Sequence, residues 1–529
     1  MTVHRSGTPD IEIPEQTLSA LIDSVVARHA ERVAVVDAAS GQAVSYGELG
    51  SRIDGAAAGF RRRGLVPGGV VAIVAANSLE WLIVALGVIR AGGVVTGANR
   101  ASVADELAHQ FRDSGARWVV CSPEVLETVT SAARVAGCVD ELVVLDTHVP
   151  EIDGFEVVSF AGLTETDGVP ALDDIDEAGL DALCALPYSS GTTGRSKGVR
   201  LTHRTLVSNI CQVAAVAPVE AGDRVLAFLP MFHIMGFAVV ALGGLAKGAT
   251  VVTLPGFEPR SFLDAIQTHR INNVFVVPPI ANFLAAHPMV DEFDLSSIET
   301  IGCGAAPLGA ATEEAVRSRL GCQIAQGYGM TESSGCISYP GFATAAASGS
   351  SGGLLPNTEA LIVDPATGAP QPVGATGELW FRGPQVFAGY LGNVAATEET
   401  IDADGWVHTG DLGHFDEAGH LHITDRLKEL IKVKGFQVAP AELEALLLTH
   451  PEVVDVAVIG RPDDRAGERP VAYVVAGGSI DTEEVRAWLA ARVSEYKQLA
   501  AVVITDAIPH NPSGKILRRV LRDADAAIG

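Results

Sequence analysis

The sequence predicts an α/β protein: a large N-terminal domain of several subdomains with mostly parallel sheets, and a small α/β C-terminal domain. Three observations carry that prediction. Short β-branched runs alternate with helical patterns, and strand–helix–strand repetition places parallel strands beneath covering helices. The chain has 529 residues, which fits two to four domains rather than one. Near Asp425 the character of the sequence changes, and a basic cluster (Arg426, Lys428, Lys432, Lys434) opens a final stretch of roughly 100 residues, a common domain size.

The runs at 32–37, 70–74, 117–121, 142–145, 273–277 and 300–303 are short and apolar, as buried strands are. Segments 18–29, 46–63 and 78–90 space their apolar residues as helices do. Residues 343–353 are rich in Ala, Ser and Gly and read as a mobile surface loop. In the last stretch Pro440 suits the first turn of a helix, with Glu442 just behind it. Strands at 453–459 and 471–475 then flank a helix at 483–496. The domains are set at 1–425 and 426–529.

Apolar residues make up 48% of the chain and charged residues 19%, enough for a large core and unlike a disordered chain. Lys and Arg number 37 against 64 Asp and Glu, a formal charge of −27. Such a chain is a poor binder of phosphate backbones, so no nucleic-acid partner is expected and any nucleotide must be held by a local site. The seven cysteines are odd in number, scattered, and form no Cys-x-x-Cys or Cys/His cluster. That argues against a disulfide framework or zinc site and suits a reducing cytoplasm. Residues 1–16 lack an apolar signal core. The apolar stretches 81–89 and 237–246 stop at Arg90 and Lys247, short of the roughly 20 residues of a membrane span. The expectation is a cytoplasmic protein without a transmembrane segment.

The chemistry concentrates first in Tyr188-Ser-Ser-Gly-Thr-Thr-Gly-Arg-Ser-Lys197, after the apolar run 182–187. Glycines let backbone N–H groups converge on an anion, hydroxyls donate to phosphate oxygens, and a lysine adds charge. Ser189, Ser190, Gly191, Thr192, Thr193, Gly194 and Lys197 therefore read as a phosphate loop. It is not a Walker A loop, because Arg195 and Ser196 follow Gly194. A flexible Gly/Ser turn is the plain alternative, which two hydroxyl pairs and a lysine in one short stretch outweigh.

Four further segments follow in order: Gln326-Gly-Tyr-Gly-Met-Thr-Glu332, His408-Thr-Gly-Asp411, Asp425-Arg-Leu-Lys-Glu-Leu-Ile-Lys432 and Pro512-Ser-Gly-Lys515. With the phosphate loop they resemble the adenylate-forming superfamily of acyl-CoA synthetases, luciferases and peptide-synthetase adenylation domains, over residues 18–519. The segment from Lys434 to Glu444 most resembles the 4-coumarate/cinnamate-CoA ligase branch, including its bacterial members. The resemblance implies an AMP-forming acid–thiol ligase with two half-reactions. A carboxylate attacks the α-phosphate of ATP, giving an acyl-adenylate and pyrophosphate; a thiol, CoA as co-substrate, then displaces AMP. The first step asks for spread positive charge more than covalent help.

By the same resemblance Ser189, Ser190, Thr192, Thr193 and Lys197 embrace the β- and γ-phosphates. Thr331 and Glu332 stand at the α-phosphate, and Glu332 holds Mg2+, which prefers a carboxylate plus phosphate oxygens. Tyr328 stacks on adenine while Gly327 and Gly329 permit close backbone approach. Gly304, Ala305 and Ala306 wall the base. Asp411 accepts two ribose hydroxyls, and Arg426 reaches the ribose or a phosphate. Lys515 enters from the small domain, mobile in the family, to bridge the carboxylate and the α-phosphate, so domain closure delivers the charge. Lys428 matches the hinge. Lys432 and Gln437 match residues that face the site in one of two closed states. Lys434, Gly435 and Phe436 match the stretch beside the CoA tunnel, where Val433 replaces a common Tyr. His233 matches a gate beside the acyl site, although a lone His among apolar residues is more often structural.

The acid pocket maps by resemblance to His233, Met235, Val239, Ala305, Gly327, Gly329, Gly335 and Cys336. Met235 stands where many coumarate ligases place Tyr, and Gly335-Cys336 replaces a common Pro-Val. These departures predict a roomy, apolar, polarisable pocket for an aryl, cinnamyl or medium-chain acid. Three alternatives stay open: a non-CoA acceptor such as a carrier protein acting in trans, an amine or oxygen; an inorganic acid such as nitrite as the group activated, as in related diazotising enzymes; and a non-catalytic nucleotide-binding relative. The retained charges Lys197, Glu332, Asp411, Arg426 and Lys515 weigh against the last, because an idle site need not keep groups that cost desolvation.

Overall fold

The computed structural model describes residues 3–164, 179–189, 196–341, 348–434, 436–463, 465–478, 480–511 and 514–528. Its first helix, Leu18–His29, begins where the Thr17 side chain accepts from Ala20 N, and buries Leu18, Leu21, Ile22 and Val25. Tyr46–Arg62 opens on a capping box between Ser45 and Glu48. Leu79–Arg90 is capped by Ser78 and buried along almost its whole length. The apolar stretch at 81–89 is thus a core helix, and among the described residues no helix is long and apolar enough to cross a membrane.

These helices cover two seven-stranded sheets. In one, Val94–Gly97, Val70–Val74, Trp118–Cys121, Glu141–Val144 and Glu156–Ser159 run parallel in that spatial order. In the other, Gln323–Gln326, Thr300–Cys303, Asn273–Val276, Arg224–Ala227, Thr250–Thr253 and Val33–Asp37 do the same. The central runs, such as Trp118–Cys121 and Asn273–Val276, are buried on both faces, as parallel strands between helices must be.

The expectation of mostly parallel sheets holds for these two and needs correction elsewhere. A third sheet orders His4–Arg5, Glu359–Val363, Gly377–Arg382, Val407–Phe415 and Leu421–Arg426, all antiparallel. Gly377–Arg382 alternates buried and half-buried residues, so it offers no continuous apolar run to mark it. The C-terminal sheet is built on the antiparallel pair Val453–Asp463 and Gly467–Ala476, with only Ala501–Ile504 parallel. It carries its own core around Leu443, Val458, Val474 and Leu489. The helix expected to reach 496 stops at Ala490, and Glu495–Lys497 forms a separate 3-10 turn. The expected helix at Pro440 forms over Pro440–Leu447.

The Ala/Ser/Gly-rich stretch is also corrected in part. Residues 342–347 lie outside the described residues, but Ser350 and Ser351 are buried, and Ser351 N donates to the Leu421 carbonyl at 2.7 Å. Small side chains there let the chain lie against the antiparallel sheet. All seven cysteines are free.

Candidate active site

In a parallel sheet the loops at the carboxyl ends of the strands form a crevice. Thr300–Cys303 and Gln323–Gln326 are neighbours, so Gly304–Pro307 and Gly327–Glu332 leave the sheet side by side. The Gln326 side chain accepts from Leu308 N and ties the two loops together. Ala305 has φ 70°, a left-handed conformation that costs a residue with a Cβ about 1–2 kcal/mol. The neighbouring structure holds it there.

The antiparallel sheet supplies the next groups. Asp411 and Arg426 stand opposite each other in the register of Val407–Phe415 and Leu421–Arg426. Asp411 is 3% exposed. Its Oδ2 accepts from the Tyr328 hydroxyl at 2.6 Å. Its Oδ1 lies 3.0 Å from Arg426 Nε, with the N–H aimed aside, and receives no hydrogen bond among the described residues. Burial and then the Asp411 charge push the Tyr328 phenol well above its usual value, so it stays a donor.

Lys515 reaches the same place from the C-terminal sheet. Its backbone N donates to Asn511 Oδ1 at 2.9 Å. Burial first, and Arg426 second, lower its ammonium to about 8, while Glu429 and Asp411 oppose that shift. Gly514 lets the loop approach: it has φ 79°, and a Cβ there would sit 2.9 Å from Val277 Cβ, at the end of Asn273–Val276. Only glycine combines that backbone angle with that contact. Behind Lys515, Arg518 is buried against Glu429 at 2.5 Å and Glu444 at 2.7 Å.

At the other side of the crevice, Thr331 begins a 3-10 turn, Thr331–Ser333. Glu332, in the same turn, is 5% exposed. Its Oε1 accepts from the Tyr390 hydroxyl at 2.7 Å and from Ser189 Oγ at 3.3 Å. Ser189 pairs with Lys197 across the short ladder Tyr188–Ser189 and Lys197–Gly198, which forms the base of the phosphate loop. Ser190, Gly191, Thr192, Thr193 and Gly194 themselves lie outside the described residues. The Lys197 ammonium sits 4.7 Å from the centroid of the Tyr390 ring.

The acid-pocket expectation is changed in detail. Met235–Leu242 is a π-helix. Met235 Cε lies 3.2 Å from where a Gly304 Cβ would be, and Val239 Cγ2 lies 3.0 Å from that of Gly335. Both side chains thus face the glycine wall. The Cβ directions of Gly329 and Gly327 point into the protein: a Cβ at Gly329 would lie 2.1 Å from the Gly335 carbonyl, and one at Gly327 would lie 2.8 Å from the Tyr339 ring. The space they leave is filled by the protein. The Cys336 thiol turns to the Ser338 carbonyl at 3.3 Å and packs with Val213, Tyr339 and Leu355, away from the pocket. Asn209 fixes that turn by donating to the Cys336 carbonyl and accepting from its N–H, at 2.8 and 3.0 Å. Burial lowers His233 to about 4, so it is neutral; with Trp81, Gly97 and Phe232 it lines a small cavity.

Other expected residues stand apart. Lys428 is exposed in the turn that joins Leu421–Arg426 to Ile431–Val433. Lys432 and Gln437 face each other across the hairpin Ile431–Val433 and Phe436–Val438 and are exposed. Their side chains make no hydrogen bond or ion pair among the described residues. Lys434 is exposed with φ 50°, Gly435 lies outside the described residues, and Phe436 stacks on Tyr496 at 4.6 Å. Sequence reasoning missed Tyr390, Asn209, Glu429 and Arg518. None sits in a chemistry-bearing motif except Glu429, and each acts on a group distant in sequence, so no local pattern marked them.

Two family models match this arrangement: one described as AMP-binding enzyme over residues 22–391, and one described as AMP-binding enzyme C-terminal domain over residues 442–515. The chain belongs to the AMP-binding enzyme family. Among its relatives is 4-coumarate–CoA ligase 5 of Oryza sativa subsp. japonica, 40% identical, with 99% of this chain and 98% of that protein covered. ATP-bound MatB from Rhodopseudomonas palustris superposes with a TM-score of 0.84 at 31% identity, covering 96% of this chain and 99% of that one. The amide bond synthetase McbA from Marinactinospora thermotolerans also gives 0.84, at 28% identity, over 96% and 99% of the two chains. In this AMP-binding enzyme the crevice between the parallel and antiparallel sheets thus gathers groups from both matched segments.

Proposed function

We propose that this enzyme uses ATP to convert a carboxylic acid to its acyl-adenylate and then transfers the acyl group to CoA. The observation that carries the reading is that Lys515, from a C-terminal loop, comes within electrostatic reach of the Asp411–Arg426 pair, where the buried Asp411 Oδ1 receives no hydrogen bond among the described residues. Asp411 Oδ1 has the place and polarity to accept from ribose hydroxyls. Tyr328, held by its hydroxyl, presents its ring to the adenine, with Ala305 and Ala306 as the facing wall.

The fit for Mg2+ rests on Glu332. One oxygen is committed to Tyr390 and Ser189, and Oε2 receives no hydrogen bond among the described residues. A buried carboxylate with one free oxygen suits a cation that takes one or two carboxylates plus phosphate oxygens. When bound, Mg2+ supplies charge neutralisation to the triphosphate. Lys197 and Ser189 take the β- and γ-phosphates, and Thr331 the α-phosphate. Lys515 holds the acid's carboxylate against the α-phosphorus. A carboxylate oxygen forms the new P–O bond, the bond to the bridging oxygen breaks, and pyrophosphate leaves. In the second step the CoA thiol sulfur attacks the acyl carbon, its proton is lost, and AMP departs.

For that step the small domain, taken as 426–529, turns about Lys428, whose exposed and unengaged side chain leaves its backbone free to change. The turn brings Lys432, Gln437 and the stretch of Lys434, Gly435 and Phe436 to the crevice. The acid is an aryl, cinnamyl or medium-chain one, lying beside Met235, Val239 and a neutral His233. The 4-coumarate–CoA ligase relative favours the cinnamyl class. An amine as acceptor is the second reading, favoured by the likeness to an amide bond synthetase. Pyrophosphate release over a panel of aryl, cinnamyl and fatty acids, with CoA or amines added, tests both. An enzyme that releases pyrophosphate with no acid of the panel overturns the substrate class.

A further inference from the structure

We propose that Tyr390 is the positioning residue of the phosphate end of the site: its hydroxyl orients Glu332 toward the cation, and its ring face holds Lys197. The inference rests on the reading of Glu332 and Lys197 given above and adds a residue to it.

The geometry is a three-way contact. The Tyr390 hydroxyl donates to Glu332 Oε1 at 2.7 Å, and Ser189 Oγ donates to the same oxygen at 3.3 Å. Both donors pull on one oxygen and leave the other with its lone pairs for a cation. The Lys197 ammonium stands 4.7 Å above the same ring, within the reach of a cation–π contact. The carboxylate and the lysine thus meet one aromatic side chain, the first at its hydroxyl and the second at its ring face.

The backbone places the ring firmly. Residues 389–391 run along 198–200 as an added strand: Arg200 N donates to the Gly389 carbonyl at 3.0 Å, Leu391 N to the Gly198 carbonyl at 2.9 Å, and Val199 bridges Tyr390. The base of the phosphate loop and the tyrosine therefore move as one unit. Phe387 N donates to the Glu332 carbonyl at 3.0 Å, so the same segment also holds the backbone of the carboxylate.

The test measures binding, not turnover. The affinity of a non-hydrolysable ATP analogue is taken by calorimetry at increasing Mg2+, for wild type, Tyr390→Phe and Tyr390→Leu. Tyr390→Phe keeps the ring and loses the hydroxyl, and should raise the Mg2+ concentration for half-maximal enhancement about tenfold, the scale of a hydrogen bond to a charged group. Tyr390→Leu should do the same and also weaken the analogue without Mg2+, because Lys197 is released. AMP affinity should stay unchanged in both, which also reports intact folding. In Glu332→Gln the added Tyr390→Phe change should have no further effect on Mg2+ dependence. An unshifted Mg2+ midpoint in Tyr390→Phe overturns the inference, as does full additivity with Glu332→Gln. Should the leucine variant lose AMP binding through misfolding, the phenylalanine variant and the Glu332→Gln cycle decide alone. A wild-type enzyme whose analogue binding ignores Mg2+ brings down the reading of Glu332 itself, and this inference with it.

Discussion

Raising the pH should discharge Lys515 and silence adenylation. Its ammonium is lowered from the usual 10.5 to about 8, first by burial and then by Arg426. Roughly nine in ten are charged at pH 7 and roughly one in ten at pH 9. The charge is what the bridging role uses, so kcat/KM for pyrophosphate release should fall about tenfold over that interval, a profile that reports the free enzyme. The fall is not unfolding. Between the folded value and the ordinary one the unfolded chain holds more protons, so this group's contribution to stability rises with pH there. In the ATP complex the phosphate charge raises the lysine, and the inflection in kcat should come at higher pH. Lys515→Arg, always charged, should be slower throughout but flat from pH 7 to 9. Pyrophosphate release is followed in a coupled assay with the coupling enzymes in excess at each pH. A wild-type rate flat to pH 9, or a Lys515→Arg enzyme with the same inflection, would refute the reasoning.

Three further outcomes follow from the geometry. Gly514→Ala places a Cβ against Val277 in a left-handed conformation; the penalty of about 1–2 kcal/mol should slow adenylation about tenfold, while thioester formation from supplied acyl-AMP, measured separately, stays near wild type. Arg518→Met leaves Glu429 and Glu444 without their buried partner and should destabilise the C-terminal part by about 3–5 kcal/mol in urea unfolding of the full chain. Asp411→Ala should weaken ATP in calorimetry by about 1.5–3 kcal/mol and leave acid binding unchanged; equal ATP affinity would remove the ribose role.

What was legible in the sequence was what is local. Residues 70–74 and 300–303 form the strands that their apolar runs announce, and Leu18–His29 forms the helix its spacing announces. That Tyr328, Asp411 and Arg426 gather in one crevice was legible as an order of motifs, because each motif carries its own glycines, hydroxyls or charge. Much of the antiparallel sheet was not, since strands such as Gly377–Arg382 and Leu421–Arg426 are half open to solvent and lack a run of apolar residues. Nor was the acid pocket: whether Gly329 faces an acid or a neighbouring carbonyl depends on how the chain folds back at Gly335. Tyr390 reaches Glu332 only because the segment around it pairs with residues 198–200, a non-local event that no window around Tyr390 contains.

The π-helix at Met235–Leu242 bears on how this pocket can evolve. Its i→i+5 hydrogen bonds give each turn more residues than an α-helix has, and that winding brings Met235 and Val239 to the wall of Gly304 and Gly335. Loss of a single residue from this segment would let the helix tighten to the ordinary i→i+4 pattern. Every side chain beyond the deletion would then rotate about the axis, and the wall would meet a different pair. For the proposed acid site, one codon deletion would therefore be a larger step in shape than a point substitution at either residue gives.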